Sequence, residues 1–173
     1  MSVLAIRRLA PADAPAYRVL RLRALREHPE AFTSSFEEES AKPLDWSEQR
    51  LIASPQRPHD VFLGAFQGDT LVGMVGLQGR YRPKERHNTT VVGMYVAPEA
   101  GGQGVGRALM RDLLLHATAC EGLEQLDLTV TAGNDRAQAL YAHCGFTVFG
   151  VLQRAIRLHG QYHDKLHMVR RLR

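Results

Sequence analysis

Cysteine is nearly missing from this chain: Cys120 and Cys144 are the only two in 173 residues. Both fall on the apolar side of expected helices, which suits buried thiols in a reducing compartment rather than a disulfide framework. No apolar run approaches the roughly 20 residues of a membrane-spanning helix. The opening Met1-Ser2-Val3-Leu4-Ala5-Ile6-Arg7-Arg8 lacks the apolar stretch of a signal peptide. Repeats, low-complexity tracts and linkers are also missing, so the expectation is one soluble, cytoplasmic domain over 1–173. The formal net charge is +4, yet no basic run is interleaved with aromatics and no zinc spacing occurs. The clusters Arg18-Arg21-Arg23-Arg26 and Arg170-Arg171-Arg173 therefore read as solvated faces, and nucleic acid is not the expected partner. His163 and His167 share one face of an expected strand without a third ligand, so no metal site is expected.

What is present centres on 91–114. An apolar strand, Val91-Val92-Gly93-Met94-Tyr95-Val96, turns at Pro98 and runs into Ala100-Gly101-Gly102-Gln103-Gly104-Val105-Gly106, which opens an amphipathic helix. Four glycines in six residues, 101–106, let the backbone curl so that several N–H groups converge, with the positive end of a helix dipole behind them. Such a loop is built for phosphate. A Walker A loop is excluded because Arg107 stands at the lysine position and Ala108 lacks the magnesium-binding hydroxyl. A dinucleotide fingerprint is excluded because Leu109 stands where the third glycine belongs. What remains is a loop that holds a pyrophosphate by its backbone, without metal.

In chain order, 3–8 reads as a short strand. Pro11-Ala12-Asp13 starts a helix, with Asp13 as N-cap, Pro15 near its first positions, and Tyr17, Leu20, Ala24 and Leu25 on one face, ending before Pro29. The weakly amphipathic 31–39 reads as an exposed second helix or a cover over a site, and 46–52 as a short helical piece. Strands at 61–67 and 71–78 flank the Gly68-Asp69 hairpin turn, 80–87 is a polar loop, and 89–96 is the next strand. The helix after the glycine loop places Leu109, Leu113, Ala117 and Cys120 on one face, with Met110 and Leu114 alongside, and ends at Gly122. A strand over 126–131 is followed by a helix that Asn134 caps, bearing Ala137, Leu140, Tyr141 and Cys144 and closed by Gly145. Strands at 146–157 and 162–172 form a last hairpin around His159-Gly160. The order β-α-α-β-β-β-α-β-α-β-β argues for an α+β fold, with helices flanking a mixed sheet.

Two stretches in this order resemble the GCN5-related N-acetyltransferase (GNAT) superfamily. Met94-Tyr95-Val96, Pro98 and Gly102-Gln103-Gly104-Val105-Gly106-Arg107-Ala108-Leu109 look like its acetyl-CoA loop, Q/R-x-x-G-x-G/A. Asn134-Asp135-Arg136-Ala137-Gln138-Ala139-Leu140-Tyr141-Ala142-His143-Cys144-Gly145-Phe146 is similar to its N-x-x-A-x-x-L-Y-x-x-x-G-F signature. The resemblance implies a mostly antiparallel central sheet, with acetyl-CoA lying where the strand ending at Val96 splays from the strand ending near Thr131. Met94, Tyr95 and Val96 would pair with the pantetheine arm as a missing strand does. A main-chain N–H there would polarise the thioester carbonyl. Gly101, Gly102, Gln103, Gly104, Val105, Gly106 and Arg107 would hold the pyrophosphate, Asn134 and Ala137 would contact the cofactor, and Tyr141 would protonate the departing thiolate.

Two departures from the family pattern stand out. Gly101 occupies the usual Gln or Arg position, leaving Gln103 or Arg107 to supply a side-chain phosphate contact. No carboxylate lies between Arg86 and Ala97, where some members carry a glutamate base. Glu37, Glu38, Asp164, His87 and His163 are the candidates that remain, or a water chain. Phe32, Ser35, Glu37, Glu38, Tyr162 and Asp164 are expected around the acceptor, a small-molecule or peptide amine. The resemblance also admits a homodimer through the terminal strands. The rival readings are a non-catalytic CoA or acyl-CoA sensor with the same fold and a nucleic-acid-binding module.

Overall fold

The computed structural model describes residues 4–173. Val3, expected to open the first strand, lies outside the described residues. The strands are β1 (Leu4–Arg8), β2 (Val61–Gln67), β3 (Thr70–Gly79), β4 (Asn88–Val96), β5 (Gln125–Thr131), β6 (Thr147–Leu158) and β7 (Gln161–Arg171), of which β2 and β3 are continuous apolar runs buried on both faces. Helical periodicity produces α1 (Ala14–Glu27), α2 (Phe36–Ser40), α3 (Leu44–Leu51), α4 (Val105–Ala119) and α5 (Asp135–His143). Three helices, not two, separate β1 from β2. The extra one is the single turn α2, which forms because Ser35 and Glu38 close a reciprocal capping box: Ser35 Oγ accepts the Glu38 N–H (3.1 Å) and Glu38 Oε2 accepts the Ser35 N–H (2.9 Å).

The strands form one sheet in the order β1-β2-β3-β4-β5-β7-β6, antiparallel throughout except between β4 and β5. One face packs on α4 and α5 through Leu109, Met110, Leu113, Leu126, Leu128 and Tyr141, the other on α1 and α3 through Tyr17, Leu20, Leu51, Phe62 and Met74. The expected apolar face of α4 is buried, with Leu109, Leu113 and Ala117 all at 0% exposure. The cysteines, expected to be buried, are only half-buried, because Cys120 sits just past the end of α4 and Cys144 just past the end of α5. Asp13 stands at the N-cap position of α1 without bonding to the helix. Its carboxylate instead accepts the Ala10 N–H (2.8 Å) and pairs with Arg7 (2.7 Å). Among the described residues no helix is long and apolar enough to cross a membrane.

Two irregularities shape the centre of the sheet. The parallel pairing of β4 with β5 joins only Asn88, Thr89 and Thr90 to Gln125, Leu126 and Asp127; beyond it the strands part. Asp127 pins the closed end, accepting the Thr90 hydroxyl (2.7 Å) and pairing with Arg80. In β4 the register against β3 then slips around Gly93, whose φ is +63°. A bulge adds one residue to the strand and so exchanges its two faces. Val91 packs on the α4 side, whereas Tyr95, four residues on, packs on the α1 side, and Met94 and Val96 turn toward α4.

Candidate active site

The parted strands and the segments over them enclose a cavity of about 970 Å³. Met94, Tyr95 and Val96 of β4 form one wall, Thr131 and Asn134 the opposite one, and α5 contributes Arg136, Ala137 and Leu140. The glycine loop closes one end. At the other end stand His28, Glu30 and Phe32, from the segment after α1, and His163 of β7.

The loop is a cradle of bare backbone. Gly102 and Gly104 have φ of +75° and +79°, and a Cβ on either would meet nothing within 4 Å. The glycines are there for the left-handed turn and leave open space above the chain. The first helical bond of α4 runs from the Ala108 N–H to Gly104 O (3.0 Å), so the amides of Val105, Gly106 and Arg107 have no carbonyl behind them in the helix. Gly106 serves close packing, since a Cβ there would lie 3.3 Å from Met94 Cε and 3.4 Å from Leu140 Cδ2. Free amides, a helix N-terminus and empty space fit a pyrophosphate without a metal.

The loop is tethered from outside. Gln103 receives the Gln67 amide (2.7 Å) and donates to Glu99 O (3.1 Å), which occupies both ends of its side chain. Arg23 grips Glu99 (2.7 and 2.9 Å) and Glu27 (2.8 Å), and Glu27 accepts the Tyr95 hydroxyl (2.5 Å). Burial and that carboxylate push the Tyr95 pKa up, so this hydroxyl is a fixed donor. Of the two side chains expected to compensate for Gly101, Gln103 is thus spent on the tether and only Arg107 lines the cavity. A residue not foreseen stands closer. The Arg136 guanidinium lies 3.5 and 3.7 Å from where a Cβ on Gly101 would be, is exposed, and lines the cavity. Its carrier α5 is capped as expected, Asn134 Oδ1 accepting the Ala137 N–H (3.2 Å).

Tyr141 is more deeply set than expected. It is 7% exposed, and its ring meets Phe146 edge-on at 6.1 Å. It is absent from the cavity lining, which Ala137 and Leu140 supply from the same helix. Burial, then the nearby Cys144, raises its pKa, and no hydrogen bond contributes. The hydroxyl is not among the sealed polar atoms left without a partner.

Of the five base candidates, only His163 reaches the cavity. His87 is at the closed end of the β4–β5 pair, where its carbonyl accepts the N–H groups of Glu124 (2.9 Å) and Gln125 (3.2 Å). Asp164 accepts the Arg154 N–H (2.8 Å). Glu37 is exposed, while Ser35 and Glu38 are engaged in capping α2. Tyr162 is 46% exposed beneath the Arg154 guanidinium, 3.9 Å from its ring centroid. Of the expected acceptor residues, Phe32 alone is on the cavity wall, and the structure adds His28 and Glu30 to it. The Glu30 carbonyl is anchored by the Thr131 hydroxyl (2.7 Å), which fastens the segment after α1 across the open end of β5. No local pattern marks His28 or Glu30; only their place just before and within the short turn Pro29–Ala31 does.

A model of the family described as "Acetyltransferase (GNAT) family" matches residues 22–146. The N-alpha-acetyltransferase RimI of Mycobacterium tuberculosis is 39% identical over 113 residues, 64% of this chain and 65% of that one, just under two-thirds of its length. A phosphinothricin N-acetyltransferase of Alcaligenes faecalis is 34% identical over 150 residues, 84% of this chain and 73% of that one. In fold, the chain is similar to a Salmonella typhimurium protein solved with its cofactor acetyl-CoA, with a TM-score of 0.80 at 22% identity over 99% of this chain and 95% of that one.

Proposed function

The chain belongs to the acetyltransferase (GNAT) family, whose enzymes take an acetyl group from acetyl-CoA, and from that premise we propose that it transfers the group to a primary amine by direct attack in a ternary complex. The observation that carries this reading is one continuous cavity with an open glycine-loop backbone and a helix N-terminus at one end and two histidines with a carboxylate at the other. Bound acetyl-CoA supplies the acetyl group as a reactive thioester. The residues of the chain hold, orient and move protons around it.

The amides of the glycine loop and the first turn of α4 hold the pyrophosphate, and the Arg136 and Arg107 side chains add charge. Beyond the Gly93 bulge, the edge of β4 has no β5 partner, so its backbone pairs with the pantetheine arm as an added strand. One main-chain N–H of that edge would polarise the thioester carbonyl. At the other end, His163 takes the proton that the acceptor's ammonium must lose to become the attacking amine, passing from neutral imidazole to imidazolium. Tyr141 stays protonated because burial raises its pKa. It therefore serves the leaving sulfur chiefly as a hydrogen-bond donor, since full transfer from so weak an acid is uphill. Direct attack is favoured because no cysteine or serine lines the cavity among the described residues, and burial raises the Cys144 thiol pKa.

The test is release of free thiol from acetyl-CoA with a panel of amines, using wild type, His163→Gln and Tyr141→Phe. Turnover should need an amine. His163→Gln should lower kcat/KM about 100-fold, and Tyr141→Phe should lower kcat about 100-fold while acetyl-CoA still binds. Binding of acetyl-CoA without turnover of any amine would identify a sensor instead. An unchanged kcat in Tyr141→Phe would leave that ring as core packing alone.

A further inference from the structure

Most charged side chains that fold inward here meet an opposite charge: Arg21 meets Glu39, Arg23 meets Glu27 and Glu99, and Arg80 meets Asp127. Lys165 does not. It is half-buried on β7, its Nζ donates to the neutral Thr33 hydroxyl (2.8 Å), and no carboxylate lies within ion-pair distance among the described residues. Burial of this ammonium lowers its pKa, and the neutral Thr33 hydroxyl replaces only part of the hydration it loses.

Its position ties it to the acceptor end. Successive residues of a strand alternate between faces, so Lys165 lies on the same face of β7 as His163, which lines the cavity. Thr33 directly follows Phe32, another wall residue, and is three residues from Glu30, a span of at most about 11 Å of chain. Glu30 is the one carboxylate on the described cavity wall. The His28 Nδ1 atom lies 3.9 Å from it, too far for a hydrogen bond, and no lysine or arginine pairs with it among the described residues. The segment 28–33 thus carries Glu30 on the cavity wall and, through Thr33, holds the Lys165 ammonium beside that wall, at the end where the amine must enter.

Resting on the transferase reading, we propose that the acceptor is a small zwitterion: an anionic group, a carboxylate or a related oxyanion, sits on Lys165 and Thr33, while its ammonium is drawn to Glu30. A plain amine would satisfy Glu30 but leave Lys165 unpaired beside a second cation. A molecule that carries both charges offers a partner to each, and charge-assisted hydrogen bonds of this kind are the stronger ones. The site would then select its acceptor by the group that does not react.

The experiment pairs each of a set of α-amino acids with the amine that lacks its carboxylate, for wild type and Lys165→Met, with thiol release as the readout. Wild type should favour the amino acids by tenfold or more in kcat/KM. Lys165→Met should shrink that preference about tenfold, through KM rather than kcat. Equal rates for both members of each pair, turnover of the plain amines alone, or a preference that Lys165→Met does not alter would each overturn the proposal. Acetyl-CoA stabilisation of both proteins against heat separates the two readings. If it is missing from wild type, the transferase reading fails and takes this proposal with it. If it is present with unselective turnover, only this proposal fails. If it is present in Lys165→Met, the variant is folded and its altered preference belongs to the acceptor seat.

Discussion

Gly104 precedes the first turn of α4 at φ +79°, in open space, where any L side chain is strained although nothing obstructs it. Gly104→Ala should therefore cost about 1–2 kcal/mol of stability from the left-handed backbone alone. It should weaken acetyl-CoA binding further, because the new methyl group projects into the cradle. Urea unfolding and calorimetric titration measure the two losses separately, and an unaltered affinity would remove the loop from the binding site. The other side chains of the loop carry little of this work. Gln103 is held by Gln67 and Glu99, and beside Arg107 the other guanidinium at the loop, that of Arg136, stands on a helix about thirty residues later.

At the scale of elements, α1 and α2 are joined by one buried ion pair. Arg21 Nε and Nη2 bond to Glu39 (3.0 and 2.7 Å), with Arg21 8% and Glu39 3% exposed. Burial pushes the Glu39 pKa up, but the hydrogen bonds and charge of Arg21, with help from Ser34 and Arg50, outweigh it and hold the carboxyl below its usual range. A depressed folded-state pKa means that the pair's stabilisation is fully present above the unfolded value, about 4.3. It is lost as pH falls through the lower folded value. Glu39→Gln leaves Arg21 buried without its partner and should cost about 3 kcal/mol at pH 7. The gap in urea midpoint between wild type and variant should narrow as pH falls below 4.3; a gap that stays constant to pH 3 would show that Glu39 is not ionised in the fold. Because α2 follows the segment 28–33, the same loss should loosen the acceptor end of the cavity.

Over the whole molecule, the cavity is a gap in the sheet. Three residue pairs hold β4 to β5 at one end, and no described residue fills the space between them at the other. A ligand that fills it binds only the folded state. At one hundred times its dissociation constant, acetyl-CoA should stabilise the fold by about 2.7 kcal/mol and raise the unfolding midpoint by roughly 5–10 °C in a chain of this size. CoA should act alike, and ATP and NAD should not; no shift with either CoA form would make the glycine loop a structural turn.

The sequence by itself determined what is local. The order of strands and helices, the Asn134 cap, the hairpin glycines and the two family stretches each lie within a few consecutive residues, and short-range sterics and hydrogen bonds decide them. Gly93 was visible there as a glycine in a strand, but the face exchange it causes was not, because a bulge is defined only against a partner strand. Tertiary structure alone decided which side chains share the cavity. His28, Glu30, Arg136 and His163 come from segments up to 135 residues apart. They converge because β5 lies between β4 and β7 in the sheet, and because the Thr131 hydroxyl fastens the segment after α1 across that opening.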